Sequence, residues 1–163
     1  MATTTSFGDS PDQITAIDGT VTRNANLTIA SYSSLSVPAG ATVNGIVVTW
    51  TGGYGGVVGI AQVMSVAYSG SENSSVLAAN STPADYSDIS TVTYGAPTQL
   101  WGLSWTVDQA NAITTKMFTE SGTFYHDAFQ VTIHYTEAPG ATSLSTSISS
   151  GIVKIKSGKV VIK

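Results

Sequence analysis

From Phe129 to Tyr135, inside the stretch TFYHDAFQVTIHYTE (123–137), apolar and polar side chains alternate without a break. Phe129, Val131, Ile133 and Tyr135 fall on one side, Gln130, Thr132 and His134 on the other. A period of two is that of a β-strand with one buried and one wet face, and no amphipathic helix carries it. Such a strand needs neighbours for its backbone and a second layer for its apolar side, so this segment commits the chain to layered β structure.

The rest of the chain supplies those neighbours. Residues 20–30, TVTRNANLTIA, alternate loosely. In VPAG (37–40), Pro38 and Gly40 mark a turn before the strand VNGIVVTWT (43–51), which the sequence ends at Gly52-Gly53. A further strand is expected from about Val57 to Tyr68, short ones at 75–79 and 89–94, and an aromatic one in LWGLSW (100–105). TVDQANAITTKMF (106–118) reads as a single helical turn at 107–111, with Thr106 or Asp108 as its cap, then a strand from about Ala112 to Thr119. About seven to nine short strands with Gly, Pro and Asn turns predict an all-β, two-sheet antiparallel β-sandwich, jelly-roll-like, with a C-terminal β-hairpin or arm. The expected organisation is an N-terminal segment (1–15), a sandwich body (16–137), a Ser/Thr-rich connector (138–150) entered through Ala138-Pro139-Gly140, and a basic hairpin (151–163).

Charge narrows the function classes. Charged residues make up 10% of the chain, against about a quarter in an ordinary soluble domain. The net charge is −4 and Arg23 is the sole arginine, so the body offers nothing to follow a phosphate backbone and nucleic-acid binding is excluded. With no cysteine there is no disulfide framework and no thiolate metal site. MATTTSFGDS lacks the features of a signal peptide, and no apolar run approaches the ~20 residues of a membrane-spanning helix. The expectation is a soluble protein made in the cytoplasm with no membrane partner.

The final segment, GIVKIKSGKVVIK, carries Lys154, Lys156, Lys159 and Lys163, four of the chain's six positive charges. Two readings stand. The hairpin adds an edge to its own sandwich, its lysines guarding that edge against aggregation. Or it is an assembly arm: an isolated two-stranded hairpin is marginally stable, and a connector reaching ~40 Å lets it pack on, or pair with, a neighbouring subunit. The arm's partner-binding residues are then Val153, Lys154, Ile155, Lys156, Lys159, Val160 and Ile162.

No constellation points to catalysis. His126 and His134 have the same parity but lie ~26 Å apart along an extended strand, too far to share one ion, and are read as surface or edge histidines. Asp9, Asp12 and Asp18 fit turn and capping roles rather than a calcium loop. No serine stands in a nucleophile elbow. The sequence therefore predicts no catalytic residue, no metal and no cofactor. Among the aromatics, Trp101 and Trp105 share a face if their strand is regular and are assigned to the core. Tyr54, between glycines in GGYGG, reads as a loop-tip residue and, with Trp50, is the candidate for glycan or surface contact.

Three stretches in order, VPAGATVNGIVVTW (37–50), VTYGAPTQLWGLSWTVDQANA (92–112) and FYHDAFQVTIHYTE (124–137), resemble a jelly-roll-like β-sandwich module of tailed-bacteriophage virion structural proteins. Lys116-Met117-Phe118 departs from the module's ordinary apolar strand, and residues 138–163 have no counterpart in it. The resemblance implies a non-enzymatic virion component, in capsid decoration, fibre or tail. It would act through itself and other virion proteins, as a homo-oligomer such as a trimer, with a virion location. The alternative is a carbohydrate-binding module for attachment to a host glycan.

Overall fold

The computed structural model describes residues 1–8, 22–24, 27–55, 63–68, 77–78, 89–118, 123–139, 153–156 and 159–162. The strands are β1 (Ala2–Phe7), β2 (Thr22–Asn24), β3 (Leu27–Ser31), β4 (Thr42–Gly55), β5 (Val63–Tyr68), β6 (Leu77–Ala78), β7 (Ser90–Ala96), β8 (Ile113–Phe118), β9 (Thr123–Thr136), β10 (Val153–Lys156) and β11 (Lys159–Ile162). One short helix, α1 (Val107–Asn111), precedes β8. The first sheet has the order β1-β9-β4-β7, with β2 also on β9. Since β4 pairs along all of β9, β1 and β2 share its other edge, at residues 130–135 and 124–126 respectively. The second sheet has the order β3-β8-β5-β6, and every pairing is antiparallel.

The two sheets close over one apolar core, as in a β-sandwich. Ile46, Val48 and Trp50 of β4 and Phe129, Val131 and Ile133 of β9 meet Met64 and Val66 of β5 and Ile113 and Met117 of β8. Alternation does the sorting, and β9 buries the residues that its sequence pattern assigns to the core. The helix also stands where expected. Thr106 Oγ1 accepts from the Gln109 N–H at 3.2 Å while Gln109 Oε1 accepts from the Thr106 N–H at 2.9 Å, a reciprocal cap that ends the loop cleanly. In the VPAG turn the Ala41 N–H donates to the Pro38 carbonyl at 3.1 Å, with Gly40 at φ +78°.

Four expectations change. The N-terminal segment is not wholly outside the body: its residues 2–7 are β1, an edge strand of the first sheet. β4 does not stop at Gly52-Gly53 but continues to Gly55, so Tyr54 lies in a strand, in register with Phe124, and not at a loop tip. Gly52 is there for close approach, since a Cβ would collide with the Tyr125 carbonyl oxygen and sit 2.7 Å from the Trp50 ring. LWGLSW is no strand. Trp101 holds a left-handed φ of 58° and buries its indole completely, donating Nε1–H to the Ile46 carbonyl at 2.9 Å, so local strain is offset by core burial. Trp105 is only half-buried, its ring edge-on to Tyr68 at 5.4 Å.

The fourth change concerns the histidines. Against β4, Thr51 pairs with Ala128 while the next residue, Gly52, pairs with His126, so Asp127 is an extra residue, a β-bulge. The bulge reverses the parity of β9. His126 turns inward and is fully buried, whereas His134 stays on the outer face. The two neither share a face nor both lie at the surface.

Candidate assembly interface

β10 and β11 pair with each other, Val153 with Ile162, Lys154 with Val161, Ile155 with Val160 and Lys156 with Lys159. They belong to neither body sheet. Residues directly opposite across a hairpin share a face, and residues two apart along a strand do too. The register therefore puts the positions of Val153, Ile155, Val160 and Ile162 on one face. Those of Lys154, Lys156, Lys159 and Val161 lie on the other. The seven residues singled out in the sequence divide into an aliphatic face and a cationic one.

The outer faces of the two sheets differ in kind. That of the first sheet is hydroxyl-rich: Thr5 and Thr132 join at 3.0 Å between β1 and β9, and Thr51 and Thr91 at 3.0 Å between β4 and β7. That of the second sheet exposes Phe118 and Ile29. Leu27, Phe118, Val63 and Ala78 are in register across β3, β8, β5 and β6. Phe118 is 37% exposed and Ile29, one outward position along β3, is 51% exposed. Sequence reasoning missed this face, although Met117-Phe118 carried the signal: adjacent apolar residues in a strand place one on each side.

The other candidates resolve differently. Trp50 is 0% exposed and cannot stack on a sugar. Its Nε1–H donates to His126 Nδ1 at 2.8 Å, while His126 Nε2 lies 2.6 Å from Thr28 Oγ1. An indole nitrogen only donates, so Nδ1 must hold a lone pair and the neutral ring carries its proton on Nε2, given to Thr28. The Phe129 ring lies 5.0 Å from the imidazole centroid. Burial holds the His126 pKa down at about 3. Burial also raises the Tyr94 phenol. Among the described residues, no group of three or more His, Asp or Glu side chains gathers as a metal site. Asp9, Asp12 and Asp18 lie outside the described residues. No protein-family model, no curated protein and no solved structure matches the chain.

Proposed function

We propose that this chain is a non-enzymatic structural component of a tailed-phage particle, a capsid-decoration, fibre or tail protein located in the virion, that assembles with copies of itself through its C-terminal arm. The observation that carries the reading is the hairpin's register: it makes an aliphatic face that neither body sheet incorporates. Four aliphatic positions on a two-stranded hairpin have no reason to stay in water, and the hairpin alone is marginal. In this reading the receiving surface is centred on the exposed Phe118 and Ile29, on the second sheet of a neighbouring copy. The lysine face then points outward, toward acidic groups of other subunits. Many weak contacts of this kind add up in a particle. The resemblance of the body to phage virion modules supplies the setting. The glycan-binding alternative has lost Trp50 to the core and the loop-tip argument for Tyr54.

The test is the full-length double variant Ile155→Asp/Val160→Asp in sedimentation velocity. Self-association is expected to weaken at least 100-fold, since two buried aliphatic contacts of about 1.5–3 kcal/mol each are replaced by charges, with the far-UV circular dichroism unchanged. Unaltered association would refute the arm. A loss of body stability instead would place the hairpin on its own subunit.

A further inference from the structure

The trio of Thr28, His126 and Trp50 crosses the sandwich. Thr28 belongs to β3 in the second sheet, Trp50 and His126 to β4 and β9 in the first. Both imidazole nitrogens are engaged and the ring is fully buried, so a polar link between β3 and the first sheet runs through a group that titrates near neutrality when exposed. A proton has one place to go, Nδ1, and there it would face the Trp50 N–H, donor against donor at 2.8 Å.

We infer that His126 is an acid-release pin: protonation at Nδ1 breaks its bond to Trp50, expels the ring from between the sheets and frees β3 from the first sheet. Among the described residues, the elements packed around the ring carry few charged groups. β3 and β4 contain no Asp, Glu, Lys or Arg. β8 contributes Lys116, in register with Ile29 on the outward side, and β2 contributes Arg23, in register with Tyr125. On β9 itself the neighbours are Tyr125 and the buried Asp127. The unfolded imidazole takes up its proton below about pH 6.5 while the folded one refuses it until about pH 3, so stability is complete above 6.5 and declines as the pH falls between those values.

Urea unfolding at pH 7.0 and pH 5.0 reads the effect. In the wild type the unfolding equilibrium constant is expected to rise about 25-fold over that step, from one proton taken up only by the unfolded chain. In His126→Gln, whose amide can accept from Trp50 and donate to Thr28 without titrating, the change stays within about threefold. Asp127→Asn should keep the full wild-type dependence, which separates the pin from the adjacent carboxylate. Amide protection factors in β3 should fall on acidification in the wild type and hold in His126→Gln. If that variant does not fold, the wild-type imidazole decides by nitrogen NMR: a neutral ring with its proton on Nε2 at pH 5 supports the pin, and titration near pH 6.5 in the folded protein overturns it. Equal pH dependence in wild type and His126→Gln overturns it too. The pin residues Thr28, Trp50 and His126 lie in β3, β4 and β9 and none belongs to the arm, so the pin and the arm are tested on different residues.

Discussion

Trp50→Ala is expected to destabilise the protein by about 5 kcal/mol, enough to unfold many domains outright. The indole is fully buried between the sheets, and its removal leaves a large cavity. It also strips His126 Nδ1 of its donor inside the core. Trp50→Phe separates the two effects. It keeps most of the volume while losing the N–H and part of the fused ring, so about 1–3 kcal/mol should go. Urea denaturation followed by far-UV circular dichroism measures both. A mild effect of Trp50→Ala would mean that the indole is not in the core and would reopen its role as a surface contact.

Gly95→Ala is expected to cost about 3 kcal/mol or more, a fall in Tm of about 10 °C, although it adds one methyl. Gly95 has φ +84°, which a side chain rarely adopts. The new Cβ would collide with the Ile46 carbonyl oxygen and lie 3.0 Å from Trp101 Nε1. Those two atoms are the ends of the hydrogen bond that locks the 97–105 loop onto β4, so one substitution strains the backbone and pries open the bond. Thr93→Ala on the exposed side of the same strand is the control, with a change within about 0.5 kcal/mol. Scanning calorimetry gives both values, and equal melts for the two variants would contradict the loop geometry.

What could be read from the sequence was what neighbouring residues decide together. The run from Phe129 to Tyr135 declares its buried side through alternation. Thr106 and Asp108, both capping residue types, declare a helix start, and Pro38 with Gly40 declares a turn. The division of the hairpin into aliphatic and cationic faces is equally local. The bulge at Asp127 is different, because an extra residue is extra only relative to the strand opposite; without β4 the parity of His126 could not be known. Strand β1 stayed hidden because MATTTSF runs four hydroxyl residues together with no apolar alternation, and only β9 makes it a strand. Trp101 in a left-handed conformation is a tertiary outcome, fixed by the Ile46 carbonyl. The exposed Phe118 and Ile29 on the second sheet come together only through the register of β3 with β8, and no local pattern contains that.

Sedimentation equilibrium on the full chain and on a chain ending at Gly140 tests the assembly claim most directly. The shortened chain should keep the circular dichroism and melting temperature of the body and sediment as a single copy at concentrations where the full chain forms a larger species. A shortened chain that associates as before, or one that no longer folds, would contradict the arm.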